Sequence, residues 1–375
     1  MLRRRRFGRR GRSLRKLMAF RRRNELSPMH LAWGGIMGAV LSLALSRFRP
    51  LRAADARRRL GQRPGRPEVA VVCGGSRGLG RAIAHALARR GCAVAICART
   101  PEDVERTRME LERMGVRAYG EACDLRDETQ VKSFLANVEQ ELGPIEILVA
   151  NAATVSVAPI ETRDARDFEE ALDSTFRTTL HPVLDVLPSM RRRGHGTLVF
   201  ITSIGAKIGV PHLAPYSAAK FATAGLSEAL RAEVHKDGIH VLTVYPGLMR
   251  TGSHTRASFK GDAAKEYAWF SSGAIAPLLS IDADRAAERI VRAIERKKMQ
   301  IAFTLPARIV TRTHDAFPSV FGTAFAVANR FLPRAPAHVF SRGEGRAVQS
   351  RSSSRFGSMM KRRSDRLASR HAQSS

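Results

Sequence analysis

Val69-Ala70-Val71-Val72-Cys73-Gly74-Gly75-Ser76-Arg77-Gly78-Leu79-Gly80 joins a short apolar, β-branched run to a glycine-rich turn and opens onto Leu79, Ile83 and Leu87 at helical spacing. The run predicts a buried strand and the stripe predicts a helix. Glycines in such a turn let the backbone approach a pyrophosphate, and the helix N-terminus favours its negative charge. The spacing is G-x-x-x-G-x-G rather than the commoner G-x-G-x-x-G. Strand, turn and helix in this order are the context that gives a glycine motif meaning.

The same alternation continues outward. Ala93–Cys97 reads as a second strand, ending at Ala98-Arg99-Thr100. A helix starts with Pro101 in its first turn and with acids placed on its dipole. A third strand near Ala118–Cys123 ends at Asp124-Leu125, and Val131, Phe134, Leu135, Val138 and Leu142 mark the next helix. A fourth strand, Ile145–Val149, ends at Asn151-Ala152-Ala153. Strictly alternating strands and helices predict an α/β fold: a Rossmann-like, doubly wound parallel sheet of about seven strands with helices on both faces. An NAD site usually carries an acid after the second strand. Here Arg99 stands there and Arg77 lies in the first turn, so a 2′-phosphate is expected and NADP(H) is preferred over NAD(H). The plain alternative is two solvated arginines.

Farther along, Thr197–Ile201 reads as a strand leading to Ser203, and the Phe221, Leu226, Leu230 and Val234 pattern reads as a helix after Pro215. On that helix Tyr216 and Lys220 share one face. A free tyrosine titrates near ~10, too high for a base at neutral pH. A neighbouring ammonium lowers that value, and Ser203 can hydrogen-bond a carbonyl or alcohol oxygen beside the phenol. Taken alone, a Tyr/Lys pair on a helix is commonplace.

With 375 residues and a formal net charge of +30, the chain is long and very basic. The charge is uneven: residues 1–66 hold twenty Arg and Lys against two acids, residues 330–375 hold eleven against two, and the middle is nearly neutral. The basic arms, not the fold, set the isoelectric point. Residues 1–66 read as a basic extension with an apolar segment at 29–46, residues 67–305 as the catalytic domain, 306–333 as a helical segment, and 334–375 as a disordered tail poor in apolar residues. The apolar segment barely matches a bilayer's hydrocarbon core. Arginine clusters on both sides of it conflict with a spanning orientation. Two readings ease the conflict: a helix lying on an anionic membrane surface, or a start at Met29. Cys73, Cys92, Cys97 and Cys123 lack metal-ligand spacing and fall at predicted strands, so reduced core thiols, a cytosolic compartment and no metal are expected.

In order and spacing these motifs resemble the short-chain dehydrogenase/reductase family over about residues 67–305. Gly74, Gly78 and Gly80 match its cofactor glycines, with Ser76, Arg77 and Leu79 in the same turn. Asp124, followed by Leu125, matches the acid that contacts the adenine. Asn151-Ala152-Ala153 resembles its Asn-Ala-Gly turn, with Ala153 replacing the glycine. Ser203, Tyr216 and Lys220 match its catalytic residues, and Pro246-Gly247 with Thr251 resembles the turn that binds the nicotinamide end. The resemblance implies hydride transfer between a nicotinamide and a carbonyl or alcohol carbon, with Tyr216 as acid or base, Lys220 also bonded to the ribose and Ser203 orienting the substrate oxygen. One departure is Thr175, which takes the place of the asparagine that holds a relay water in the family. A reduced or rerouted activity is the expected consequence.

Residues 248–283 form an insert with Phe259, Tyr267, Trp269, Phe270, Leu278 and Leu279. Ligands in such folds sit beyond the strands' carboxyl ends. These aromatics either wall an apolar pocket, which favours a lipophilic substrate, or pack on the core. A last strand is expected over Gln300–Leu305, and the stripe Phe317, Phe321, Phe325 and Phe331 beyond it can dock on the domain, on a second subunit or on a membrane, with core packing the expectation. The expected partners are a small carbonyl or alcohol, an anionic membrane surface through residues 29–46, and further copies of the chain. Nucleic acid is not expected, because the arms lack interleaved aromatics. The competing class is a catalytically weak reductase-like fold that binds membranes or polyanions through its arginine arms.

Overall fold

The structure is a computed structural model that describes residues 66–275, 280–335 and 343–344. The expectations for residues 1–65, among them the apolar segment at 29–46, lie outside the described residues.

The chain runs β1 (Val69–Cys73), α1 (Gly78–Ala88), β2 (Ala93–Ala98), α2 (Pro101–Arg113), β3 (Ala118–Ala122), α3 (Glu128–Glu141) and β4 (Ile145–Ala150). After a short β5 (Ser156–Val157) come α4 (Ala165–Ala171), a π-turn at Leu172–Arg177, α5 (Thr178–Arg193), β6 (Gly196–Ile201), α6 (Ala214–Val234) and β7 (Ile239–Tyr245). The insert holds β8 (Leu248–Arg250), β9 (Ser258–Phe259), α7 (Ala263–Ile275) and β10 (Ser280–Asp282). Then follow α8 (Ala283–Glu295), β11 (Gln300–Ala302), α9 (Leu305–Thr313), α10 (Pro318–Asn329) and β12 (Gly343–Glu344).

Seven strands form one sheet in the order β11-β7-β6-β4-β1-β2-β3, and every pairing within it is parallel. Both faces are covered, which is why β1 reads as an uninterrupted apolar run. Ala70 and Val72 join the core beneath α1, α2 and α8, whereas Val69, Val71 and Cys73 join the core beneath α3, α5 and α6. The strand order reverses between β1 and β4. At such a reversal the connections leave in opposite directions and open a crevice beyond the carboxyl ends.

Two expectations need correction. The final strand stops at Ala302, because the Thr304 hydroxyl accepts from Ala307 N–H (3.4 Å) and starts α9. The phenylalanine stripe does not pack on the core: no residue of α10 is buried, and Phe317 and Phe331 are 59% and 85% exposed. In the tail Gly343–Glu344 pairs antiparallel with Ser258–Phe259, and the expectation for residues 336–342 and 345–375 lies outside the described residues. That pairing is a backbone matter and needs no apolar side chains. Among the described residues no helix is long and apolar enough to cross a membrane.

Candidate active site

A cavity of about 430 Å³ opens where β1 and β4 diverge. Gly74, Ser76, Arg77, Gly78 and Leu79 line it from the β1–α1 turn, and Arg99, Asp124, Leu125, Asn151 and Ala152 line it from the ends of β2, β3 and β4. Ser203, Tyr216, Lys220, Pro246, Gly247 and Thr251 complete the wall. Two expected site residues stand behind it. Gly80 supports the turn: a Cβ there would come within 2.0 Å of the Gly74 carbonyl oxygen. Thr175 is fully buried in the π-turn, while its neighbours Ser174 and Thr178 reach the cavity.

The turn is held from behind and left open in front. Gly74 and Gly75 N–H both donate to the Cys97 carbonyl (2.9 and 3.2 Å), and Asn151 Nδ2 donates to the Gly74 carbonyl (3.1 Å). Gly74 and Gly78 take positive φ (+72° and +52°), the left-handed conformation that glycine adopts without strain. The start of α1 has no side-chain cap and no acid in its first turn. Uncapped N–H groups at the end of an 11-residue helix, facing a cavity, suit an anion. The residues present therefore fit the pyrophosphate of a dinucleotide.

The cations are organised differently from the sequence reading. Arg77 is bonded to buried Asp103 and reaches the Thr100 hydroxyl (3.4 Å), so it is braced by α2 instead of standing free for a phosphate. Arg99 is exposed on the cavity rim. Asp124, expected at the adenine, has its carboxylate gripped by Arg126, whose Nε lies 3.0 Å from both oxygens. That guanidinium holds the carboxyl below its usual range. Arg126 also lines the cavity, and sequence reasoning missed it; its only signal was its place two residues after the acid.

At the other end, β6 leads to Ser203, and the first two turns of α6 deliver Tyr216 and Lys220. The Ser203 hydroxyl accepts from Gly205 N–H (3.1 Å) and interacts with the Tyr216 phenol. Lys220 Nζ donates to the Ile201 carbonyl (2.8 Å) and sits 5.9 Å from the centre of the Tyr216 ring. The electrostatics run opposite to the expected depression of the phenol. Burial pushes Tyr216 above its ordinary value, only partly offset by Ser203. Burial also brings Lys220 down to about 7. An ammonium shut away from water loses its own charge before it can lower a neighbour's pKa.

This has a measurable consequence for the ligand-free protein. Between about pH 7 and the ordinary lysine value near ~10.4, the unfolded chain holds a proton that folded Lys220 has released. Stability therefore rises with pH across that window and is flat in this contribution below it. Lys220→Met should remove the rise in urea unfolding measured from pH 7 to 9.5. Identical slopes in the two proteins would mean that Lys220 stays charged in the fold.

The insert settles the reading of its aromatics. Phe259 is fully buried, and its ring meets Tyr267 (5.6 Å) and Phe270 (6.1 Å) edge-on, within a cluster that includes Val157 and Leu213. None of these rings lines the cavity, where the insert contributes Met249, Thr251, Ser253, Arg256 and Ala257. The aromatics are the insert's own core. One feature had no sequence signal: His212 has φ +64° just before α6, and its Nδ1 lies 2.9 Å from each oxygen of fully buried Glu266 on α7. Trp269 Nε1 donates to the same carboxylate (2.7 Å). This pairing ties the insert helix to the loop that positions Tyr216. All four cysteines are buried and free, and burial lifts the Cys92 thiol to about 12.

Comparison with known proteins agrees with this arrangement. Residues 68–260 match the family model described as short chain dehydrogenase. A candidate ketoacyl reductase of Streptomyces coelicolor is 39% identical over 190 residues, 49% of this chain and 71% of that protein. A short-chain dehydrogenase from Streptomyces avermitilis superposes with a TM-score of 0.62 at 27% identity, covering 72% of this chain and 99% of that one. L-sorbose reductase from Gluconobacter frateurii, solved with NADPH and L-sorbose, gives 0.57 at 25% identity over 63% and 95% of the two chains. With a parallel seven-stranded sheet and a family match over half its length, this chain belongs to the short-chain dehydrogenase/reductase family of oxidoreductases.

Proposed function

We propose that the chain is an NADPH-dependent carbonyl reductase whose substrate has an apolar body and a polar end. The observation that carries this reading is that Ser203, Tyr216 and Lys220 share one cavity with the open glycine turn. NADPH, when bound, supplies the hydride to the carbonyl carbon. The turn at Gly74–Leu79 and the α1 N-terminus hold its pyrophosphate. Arg99 meets the 2′-phosphate, with Arg77 braced by Asp103 beside it. Solved relatives that carry NADPH support this choice of nucleotide.

Ser203 donates to the substrate oxygen and holds it against Tyr216. A phenol that burial keeps protonated at neutral pH is ready to act as an acid, which favours reduction over oxidation. Lys220 holds the α6 start to β6 through the Ile201 carbonyl and bonds the nicotinamide ribose. Thr175 supports the site from behind, through the carbonyl that accepts from the Thr178 and Thr179 hydroxyls (3.2 and 3.1 Å). Val155, Met249 and Ala257 offer an apolar surface to the substrate, while Thr154, Ser174 and Ser253 add polar groups. The lipophilic part of the reading now rests on these aliphatic residues and no longer on the insert's aromatic rings.

The test is a panel of carbonyl compounds screened for NADPH oxidation and of alcohols screened for NADP reduction. Turnover with at least one lipophilic ketone or aldehyde is expected; none across the panel would overturn the reading. Arg99→Ala should raise KM for NADPH by about 10–100-fold, the worth of one charged hydrogen bond, and leave KM for NADH unchanged. An equal rise for both nucleotides would remove Arg99 from the 2′-phosphate.

A further inference from the structure

The helix α10 (Pro318–Asn329) reads Pro-Ser-Val-Phe-Gly-Thr-Ala-Phe-Ala-Val-Ala-Asn and carries no charged side chain. None of its residues is buried. Phe317, Val320, Val327 and Phe331, on and beside it, are 59%, 64%, 48% and 85% exposed. An uncharged helix whose exposed face is mostly apolar belongs inside a protein or against some other apolar medium. A contiguous exposed apolar surface marks a contact still to be made.

Charge identifies the partner. Residues 306–335 hold Arg308, Arg312, Arg330 and Arg334 against the single acid Asp315. All four arginines are exposed, two before the helix and two after it. A second copy of the chain would bring the same arginines and a net charge of +30 against them, which opposes pairing through this face. An anionic bilayer surface offers both a hydrocarbon boundary for the phenylalanines and negative headgroups for the arginines. Twelve helical residues reach only about 18 Å, too short to span. We propose that α10 lies in the headgroup plane of an anionic membrane, with Phe317 and Phe331 in the acyl boundary and the four arginines on lipid headgroups. This holds whichever substrate the cavity takes.

The position has a structural corollary. The helix α9, which leads into α10, starts against the cavity wall: a Cβ on Gly247 would meet Thr304 Oγ1 at 2.7 Å and Ala307 Cβ at 3.5 Å. Docking of α10 therefore links the Gly247 turn of the cavity wall, through α9, to the lipid-bound segment.

The full chain is incubated with vesicles of phosphatidylcholine and phosphatidylserine at 7:3, and with pure phosphatidylcholine. The combined variant Phe317→Ser, Val320→Ser, Val327→Ser and Phe331→Ser should lower partitioning onto the anionic vesicles at least about tenfold, given the apolar surface removed, with an unchanged melting temperature. A second readout locates the contact. In Phe331→Trp the added fluorescence, measured against the unsubstituted protein, should shift to the blue and be quenched by brominated acyl chains. Equal partitioning of variant and parent, or added fluorescence that vesicles leave untouched, would overturn the proposal and assign any binding to another part of the chain. So would a quadruple variant that loses a dimer while keeping its vesicle binding.

Discussion

Tyr216→Phe lowers kcat for carbonyl reduction by about 10²–10⁴-fold and leaves the affinity for NADPH nearly unchanged. The expectation follows from where the hydroxyl sits. The ring lines the cavity from the first turn of α6, the phenol interacts with Ser203, and burial keeps the proton in place at neutral pH. A carbonyl that accepts a hydride builds negative charge on oxygen, and a donor already aimed at that oxygen stabilises the transition state more than the bound ketone. Phenylalanine keeps the ring and its packing against the insert core, so folding should be unaffected. Ser203→Ala should cost less, because it removes a hydrogen bond to the substrate oxygen and not the proton itself. The measurements are steady-state kinetics for both variants and NADPH binding by fluorescence titration. If Tyr216→Phe retains more than about a tenth of parental kcat, the proton comes from elsewhere and the assignment fails.

The parts of this site that were legible in the sequence are those whose physics is local. The glycine turn announces itself because a buried strand, a positive-φ turn and an uncapped helix must follow one another within a dozen residues. Tyr216 and Lys220 could be placed on one face because a helical repeat fixes them there. Sites legible only in three dimensions were missed or misread. Arg77 is paired to Asp103 across a separation of 26 residues, and His212 to Glu266 across 54. Neither spacing has a periodicity that a sequence could display. The effect of burial on the phenol was not legible for a related reason: desolvation depends on how many elements close over a group, which pattern reading does not count. The aromatic run from Phe259 to Phe270 and the stripe from Phe317 to Phe331 look alike as composition. The first became the core of the insert; in the second no residue of α10 is buried, Phe317 and Phe331 are exposed, and Phe321 meets only the His314 ring, at 5.6 Å between centres, among the ring contacts of the described residues.

Gly80→Ala should destabilise the protein and weaken NADPH binding at least about tenfold, against the usual sign for this substitution in a helix. Replacing a helical glycine by alanine ordinarily stabilises by ~1 kcal/mol. At Gly80 the added methyl would lie 2.0 Å from the Gly74 carbonyl oxygen and 2.6 Å from Asn151 Nδ2. Both neighbours belong to the turn: Gly74 is pinned to Cys97 at the end of β2, and Asn151 holds the Gly74 carbonyl from β4. Relief therefore requires α1 to move away from β1, which displaces the N–H groups aimed at the pyrophosphate and leaves the Asn151 amide short of a partner. Overpacking of this kind costs roughly 1–3 kcal/mol, more than the propensity gain. Gly225→Ala in α6 is the matched control, because nothing lies within 4 Å of its added methyl. It should raise the melting temperature by about 2–4 °C while Gly80→Ala lowers it. Scanning calorimetry with and without NADPH separates the two effects: the nucleotide should stabilise the Gly225 variant as much as the parent and the Gly80 variant much less. If Gly80→Ala gains stability and keeps its nucleotide shift, the close contact between α1 and the turn is not what holds the phosphate cradle.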